Sequence, residues 1–138
     1  MMIDGTKKSF PHKRDQQQRA ILLVDDDADN LVRLEKVLQD WGYGVITATD
    51  ARAALSKIQA GIDLIITDYR MPGMDGLEFM DVLRRERSAP PVIMLTAYAG
   101  VDSYLEATSL GVYEYVNKPV RNAELKRIIS AALHSAGS

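Results

Sequence analysis

The chain has 138 residues, of which 46% are apolar and 26% charged, with a formal net charge of −2 and no cysteine. This length suits one domain with its own core, and the composition excludes a disordered chain or a membrane protein. No apolar stretch approaches the roughly 18 residues of a spanning helix, so we expect no membrane contact. Without cysteine there are no disulfides or thiolate metal sites, which fits a cytoplasmic protein.

The charge is unevenly distributed along the chain. Residues 1–20 are polar and aperiodic, and they carry five basic residues against two acidic ones, a net charge of +3. We predict that they form a flexible tail or a linker remnant, with a functional basic arm as the alternative. Residues 21–138 carry 12 basic and 17 acidic residues, a net charge of −5. Because this part has no basic stripe, we do not expect it to bind nucleic acid.

From Ile21 onward, short apolar runs that predict strands alternate with the periodicity of helices. A first strand (21–24) precedes a helix whose apolar face consists of Leu31, Leu34, Leu38 and Trp41. A second strand (45–48) follows. Thr49 or Asp50 is placed to cap the next helix, which Gly61 ends. The inward residues of that helix are Ala54, Leu55 and Ile58.

The second half of the chain continues the alternation. Strands are predicted at 64–67, 92–95 and 112–116, and a turn at 71–76 leads into the third helix, which carries Leu77, Met80 and Leu83. A fourth helix covers residues 102–110. The fifth, capped by Asn122, buries Leu125, Ile128, Ile129, Ala132 and Leu133. Near-continuous apolar strands are typical of a parallel sheet covered on both faces. We therefore predict one three-layer α/β domain over residues 21–134, followed by a short tail (135–138).

Polar residues stand at or just beyond the C-terminal ends of the predicted strands. They are Asp25 and Asp26 after the first strand, Asp68 after the third, Thr96 at the end of the fourth and Lys118 after the fifth. In an open parallel sheet these ends share one edge, which is where α/β proteins bind ligands. Three carboxylates, a hydroxyl and an ammonium suit a hard divalent cation and a phosphoryl group.

Four motifs appear in order along this edge. They are Val24-Asp25-Asp26, the run TDYRMPGMDG at 67–76, Leu95-Thr96-Ala97 and Lys118-Pro119. Together they resemble the receiver domain of two-component response regulators, and the resemblance covers residues 21 to about 134. It implies a flavodoxin-like, doubly wound (βα)5 sandwich whose parallel sheet has the strand order 2-1-3-4-5.

The resemblance implies a site for Mg²⁺, or for Mn²⁺ in its place. Asp26 and Asp68 would ligate the ion directly, together with the main-chain carbonyl of Arg70, and Asp25 would act through water. Clustered carboxylates repel one another unless a cation lies among them, which favours this interpretation over a plain solvated acidic loop. Asp27 is then left to cap the first helix or to face solvent.

The same resemblance implies that Asp68 is the phosphoacceptor and takes a phosphoryl group covalently as an aspartyl phosphate. Thr96 would donate its hydroxyl to a phosphoryl oxygen. Lys118 would pair with the phosphate and be presented through a cis peptide bond to Pro119. Taken singly, each residue is commonly structural: an Asp in a turn, a Thr at a strand end, a solvated Lys.

Further roles concern the switch and the rim of the site. Tyr115 in the fifth strand would be the aromatic that moves with Thr96, although a strand aromatic by itself is usually just half-buried. Arg70 and Tyr98, two residues beyond Asp68 and Thr96, would form a rim that restricts the water that hydrolyses the acyl phosphate.

The resemblance therefore predicts a phosphorelay switch and not an enzyme that releases a product. A histidine kinase or histidine phosphotransfer protein would be the donor. The surface of the fourth helix, fifth strand and fifth helix would change toward a downstream protein or output domain. Residues on that surface include Leu105, Tyr113, Tyr115 and Arg121. A phosphorylation-dependent homodimer is left open, as is the choice between a stand-alone receiver and part of a larger regulator or hybrid kinase.

Other classes of protein fit the sequence less well. A haloacid-dehalogenase-like phosphatase or mutase also uses an aspartyl nucleophile and Mg²⁺, but it needs an acid two residues further on, where Arg70 stands. A degenerate receiver that only docks would lack part of the site, and all five polar residues are present. No glycine-rich loop follows the first strand, which argues against dinucleotide binding.

Overall fold

The computed structural model describes residues 19–58, 61–86, 89–97 and 100–136. Strands and helices alternate strictly along these ranges. The strands are β1 (Ala20–Val24), β2 (Gly44–Ala48), β3 (Leu64–Asp68), β4 (Val92–Thr96) and β5 (Glu114–Asn117). The helices are α1 (Ala28–Asp40), α2 (Ala51–Leu55), α3 (Gly76–Leu83), α4 (Val101–Ser109) and α5 (Asn122–Ala136). None of these helices is long and apolar enough to cross a membrane.

The five strands form one parallel sheet of order β2-β1-β3-β4-β5, which confirms the flavodoxin-like topology. Val24 lies opposite Thr67 in the neighbouring strand, and Asp68 lies opposite Leu95. Thr96 in turn lies opposite Asn117. Because of this register, the C-terminal ends of β1, β3, β4 and β5 lie within a few residues of one another along a single edge.

Helices cover both faces of the sheet, since successive side chains of a strand point to opposite faces. On one face, Ile21 and Leu23 of β1 share a cluster with Leu38 of α1 and Ile129 of α5. On the other, alternate residues of the same strand pack with α2 and α3; they include Leu22, Val24, Ala54, Phe79 and Leu83. Burial on both faces explains why the central strands are nearly continuous apolar runs. The apolar faces predicted for the first and last helices are buried in the first of these clusters.

Two carboxylates cap helices at the edge that carries the polar residues. Asp27 accepts hydrogen bonds from the main-chain N–H groups of Asp29 and Asn30 at the start of α1. The capping role expected for it is therefore confirmed. Of the two candidates for α2, Asp50 is the cap, and its Oδ1 accepts from the Ala53 N–H at 2.8 Å. Both caps satisfy helix N–H groups that have no partner within the helix.

Several boundaries differ from the sequence prediction. Ala20, expected in the tail, begins β1 because it pairs with Gly44. The strand predicted at 112–116 begins only at Glu114, because the Val112 N–H is used to close α4 by donating to the Ala107 carbonyl. Asn122, expected to precede α5 as its cap, is its first residue.

The ends of the chain and the second helix also differ from expectation. Helix α2 ends at Leu55, well before Gly61, because the Lys57 N–H tightens the turn by bonding to the Ala54 carbonyl three residues back. Helix α5 continues to Ala136, into the predicted C-terminal tail. Residues 1–18 of the predicted N-terminal tail lie outside the described residues.

Candidate functional site

Three carboxylates meet at the C-terminal edge of the sheet. Asp25, Asp26 and Asp68 each offer one oxygen atom, and these three atoms all lie within 4.8 Å of one another. Asp25 is buried, Asp68 is partly buried and Asp26 is exposed. The acids predicted to gather after the first and third strands are thus neighbours, and they present an all-oxygen group of possible metal ligands.

Asp25 is held in place by the first turn of α1. Its Oδ1 accepts from the Asp27 N–H at 3.0 Å, and its Oδ2 accepts from the side-chain amide of Asn30, also at 3.0 Å. The Asn30 carbonyl oxygen accepts from the Arg33 guanidinium at 2.6 Å. Sequence reasoning missed Asn30. Its only signal is its position one turn into the helix that follows the paired acids.

Asp68 is the last residue of β3, and both of its carboxylate oxygens have donors. Oδ1 accepts from the N–H of the next residue, Tyr69, at 2.6 Å. Oδ2 accepts from the Lys118 ammonium at 3.1 Å. The side chains of Asp68 and Lys118 are 14% and 25% exposed, so this pair is shielded from water on most sides but not sealed.

Lys118 links three parts of the site. Its ammonium also lies 3.5 Å from Oδ2 of Asp25, and its main-chain N–H donates to the Thr96 carbonyl at 2.8 Å. The peptide bond between Lys118 and Pro119 is cis. One ammonium among three carboxylates leaves two formal negative charges uncompensated, which is the charge that one divalent cation would balance.

The turn after β3 is fixed by a close approach of main chains. The Gly76 N–H donates to the Tyr69 carbonyl at 2.7 Å and closes the loop. A Cβ at position 76 would lie only 2.7 Å from the Asp68 carbonyl oxygen, so glycine is required there. Arg70 projects from this loop as an exposed side chain, its guanidinium 5.9 Å from the centre of the Tyr69 ring. The rim role expected for Arg70 stays a prediction, since its described contact is with the Tyr69 ring.

Thr96 and Tyr115 lie on neighbouring strands of the same edge. Thr96 is the last residue of β4 and is fully buried. Tyr115 is partly buried in β5, opposite Met94, and its ring meets the Tyr104 ring edge-on at 5.8 Å. Its hydroxyl lies 2.7 Å from the Ser103 hydroxyl in the first turn of α4. Sequence reasoning missed Ser103, whose only signal is its position three residues after the glycine that precedes α4.

A cleft of about 410 Å³ opens beside the acidic group, between α1 and α5. Asp25, Asn30, Asp68 and Lys118 line its polar side, and apolar residues such as Leu34 line the other. Asp68 is therefore reachable from outside. The remaining rim residue predicted from the sequence, Tyr98, lies outside the described residues.

Comparisons of sequence agree with the fold. Residues 21–130 match the family described as response regulator receiver domain. The chain is 36% identical over 118 residues to the transcriptional regulatory protein ZraR of Klebsiella oxytoca, which covers 85% of this chain and 27% of that protein. It is 31% identical to the transcriptional regulatory protein FixJ of Bradyrhizobium diazoefficiens, over 84% of this chain and 57% of that protein. The chain thus spans about a quarter of ZraR's length.

Solved structures of similar size superpose on most of the chain. A CheY-like response regulator receiver domain protein from Methanospirillum hungatei JF-1 has a TM-score of 0.82 and 30% identity, covering 86% of this chain and 96% of that chain. The chemotaxis protein CheY4 of Vibrio cholerae has a TM-score of 0.77 and 33% identity, covering 83% of this chain and 98% of that chain. The similarity therefore extends over the whole βα architecture that positions the edge site.

Proposed function

This chain belongs to the response regulator receiver family of two-component phosphorelay signalling, and on that premise we propose that it is a Mg²⁺-dependent phosphoacceptor switch. A histidine kinase or histidine phosphotransfer protein donates a phosphoryl group to Asp68. The observation that carries this proposal is the Asp68 carboxylate itself, which ends β3 at an open cleft, beside an ammonium and two further acids.

The transfer is a displacement at phosphorus. An oxygen of the Asp68 carboxylate forms a bond to phosphorus as the bond from phosphorus to the donor's imidazole nitrogen breaks, and the electron pair leaves with the imidazole. Transfer of this kind needs chiefly positioning and neutralisation of charge. The Tyr69 N–H orients the Asp68 carboxylate, and the Lys118 ammonium lies beside it to neutralise phosphoryl oxygens.

The donor set fits a hard divalent cation, because it is all oxygen and carries two uncompensated negative charges. Asp26 and Asp68 would hold Mg²⁺ or Mn²⁺ with the Arg70 main-chain carbonyl, and Asp25 would act through water. When bound, the cation supplies positive charge next to the transferring phosphoryl group. Asn30 keeps the Asp25 carboxylate turned toward this place by bonding to its Oδ2.

The phosphate stays on Asp68 until water hydrolyses the acyl phosphate. The protein therefore catalyses only its own phosphorylation and dephosphorylation and does not convert a separate substrate. Arg70 is an exposed side chain two residues after Asp68. In this proposal Arg70 and Tyr98 form the rim that limits the approach of that water. In this proposal the domain works in the cytoplasm. A chain without cysteine has no disulfide that this reducing compartment could break.

The output is a changed surface. The phosphoryl group carries about −1.5 to −2 charge at pH 7, in place of the single negative charge of the Asp68 carboxylate. It draws the Thr96 hydroxyl toward it and biases a pre-existing equilibrium of α4, β5 and α5 through Tyr115. Large apolar side chains stand exposed there, with Leu105 at 58% and Tyr113 at 40%. This surface takes a downstream protein, an attached output domain or a second copy of the chain.

The test is incubation with acetyl phosphate and Mg²⁺, followed by intact-mass measurement. We expect a gain of one phosphoryl group with Mg²⁺ and none in chelator. Asp68→Ala abolishes the gain, whereas the matched control Asp40→Ala, an exposed acid at the end of α1, keeps it. Full labelling of Asp68→Ala, or no labelling of the wild type, would overturn the proposal.

A further inference from the structure

The Ser103 hydroxyl connects the first turn of α4 to Tyr115 of β5. It lies 2.7 Å from the Tyr115 hydroxyl, twelve residues further along the chain. It also accepts from the Gly100 N–H at 3.3 Å and donates to the Gly100 carbonyl at 3.1 Å. Gly100 is the residue that precedes α4, so one side chain joins the start of this helix to the proposed switch residue.

One assignment of protons satisfies all three contacts of Ser103 at once. A hydroxyl has one proton to donate and two lone pairs to accept. In this assignment the proton of Ser103 goes to the Gly100 carbonyl, and one lone pair takes the Gly100 N–H. The second lone pair takes the proton of Tyr115, which is then the donor. We use this assignment because it fills the donor and acceptor capacity of Ser103.

The rest of Tyr115 has contacts that do not depend on Ser103. Its ring packs on the small cluster of Leu77, Met94 and Ala107, and it meets Tyr104 edge-on. Such apolar contacts tolerate sliding and rotation of a ring better than a hydrogen bond does, because a hydrogen bond weakens steeply with distance and angle. The hydroxyl bond is therefore a contact that favours one orientation of Tyr115.

We propose that Ser103 is a positioning residue that latches Tyr115 and makes its movement inseparable from a rearrangement at the start of α4. When Tyr115 moves, Ser103 loses a donor. When the first turn of α4 shifts, Tyr115 loses its acceptor. The latch rests on the proposed function, because the signal that opens it is phosphorylation of Asp68. It makes the resting state of the α4–β5 surface more populated than the ring contacts alone would.

The latch predicts how variants change the resting equilibrium. Loss of one hydrogen bond shifts such an equilibrium by a factor of about 2 to 10. Ser103→Ala removes both the latch and the contacts to Gly100. Tyr115→Phe removes the latch from the other side and keeps the ring and the contacts of Ser103 to Gly100. If Ser103 served only to cap α4, the first variant would change the resting state and the second would not. Ser103→Thr keeps a hydroxyl and is the matched control.

The experiment records amide NMR signals of Leu105 and Tyr113 in the resting protein, and again with Mg²⁺ and beryllium fluoride as the phosphoryl mimic. We expect Ser103→Ala and Tyr115→Phe each to shift the resting equilibrium toward the mimic-bound conformation by a factor of about 2 to 10. The resting signals should therefore move toward their mimic-bound positions. The double variant should move them no further than Ser103→Ala alone, because both substitutions remove the same hydrogen bond, and Ser103→Thr should resemble the wild type. Wild-type signals in either single variant, or effects that add in the double variant, would overturn the latch.

The same data separate the latch from the proposed function. The amides of Tyr69 and Lys118, next to Asp68, report whether the mimic binds. If they do not respond in the wild type, the phosphoacceptor proposal fails, and the latch fails with it as a switch device. If they respond while Ser103→Ala and Tyr115→Phe behave as wild type, the latch alone is wrong.

Discussion

The Lys118 ammonium lies 3.1 Å from Oδ2 of Asp68, although fifty residues separate them in the chain. The two residues meet because β3 and β5 flank β4 in the sheet and end at the same edge. In the resting site this ammonium compensates a carboxylate that has two acidic neighbours. Lys118 is therefore part of the stability of the resting site as well as of its proposed chemistry.

We expect Lys118→Met to lower the free energy of unfolding by about 1.5–3 kcal/mol, the range for a hydrogen bond to a charged group in a partly buried place. Added Mg²⁺ should recover part of this loss, because a cation replaces the missing charge. Urea unfolding with chelator and then with Mg²⁺ measures both effects. Lys36→Met, at an exposed position on α1, is the control. Equal losses in the two variants would contradict the compensating role.

Asp26→Asn should act in the opposite direction. This exposed acid adds to the repulsion among the three carboxylates. The amide of Asn has almost the same shape as the carboxylate but carries no charge. We expect unchanged or higher stability in chelator together with a clear loss of Mg²⁺ affinity. Urea unfolding and isothermal titration with Mg²⁺ measure the two properties. Destabilisation in chelator would mean that the carboxylates do not repel one another as their closeness indicates.

The edge site could be predicted because its residues follow from strand ends. Asp68, Thr96 and Lys118 each stand where an apolar run stops, and in a parallel sheet such positions converge whatever the details of packing. Only the neighbour relation between strands had to come from the resemblance, since periodicity carries no information on strand order.

Asn30 and Ser103 could not be predicted in this way. Each contributes through the first turn of a helix, and its contact depends on how that helix is rotated and docked over the edge. A sequence pattern places a residue on a helix but does not state which side chain of another strand it meets. The late start of β5 has a similar cause, because the closing turn of α4 uses the Val112 N–H.

The alkaline limit of stability should depend on Tyr43. Burial raises the pKa of its hydroxyl, and the positive charge of Arg19 opposes this in part. A raised pKa means that the folded protein favours the neutral phenol. The contribution of the neutral Tyr43 hydroxyl to the free energy of unfolding is therefore fully present below the unfolded pKa of about 10, and it is lost as the pH rises through the folded pKa. Tyr43→Phe cannot ionise, so it should lose less stability between about pH 9 and pH 11. Urea unfolding of the wild type and Tyr43→Phe over that pH range measures this difference. Equal losses of unfolding free energy in the two proteins would contradict the role of Tyr43.

The lifetime of the phosphate should depend on the rim. Arg70 is exposed in the loop after Asp68. If Arg70 and Tyr98 form the proposed rim, shrinking both side chains opens the approach for water. We expect Arg70→Ala with Tyr98→Ala to lose phosphate from Asp68 several-fold faster while still accepting it from acetyl phosphate. Intact mass followed over time after removal of the donor measures this. Arg84→Ala, on the exposed end of α3, is the control. A lifetime equal to the wild type's would show that the rim does not shield.

Coupling of the phosphate to the partner surface should depend on the Thr96 hydroxyl. Thr96 is fully buried at the end of β4, and its carbonyl accepts from the Lys118 N–H, which holds its backbone in place. Thr96→Ala should leave Asp68 able to accept a phosphoryl group, because the Tyr69 N–H and the Lys118 ammonium still hold the Asp68 carboxylate. It should weaken the response of α4 and β5, since the group that links phosphate to Tyr115 is gone.

The amide signals of Leu105 and Tyr113, with and without Mg²⁺ and beryllium fluoride, measure the response. Thr96→Ser keeps the hydroxyl and should therefore keep most of the response of α4 and β5. Wild-type shifts in Thr96→Ala would assign the coupling to another group.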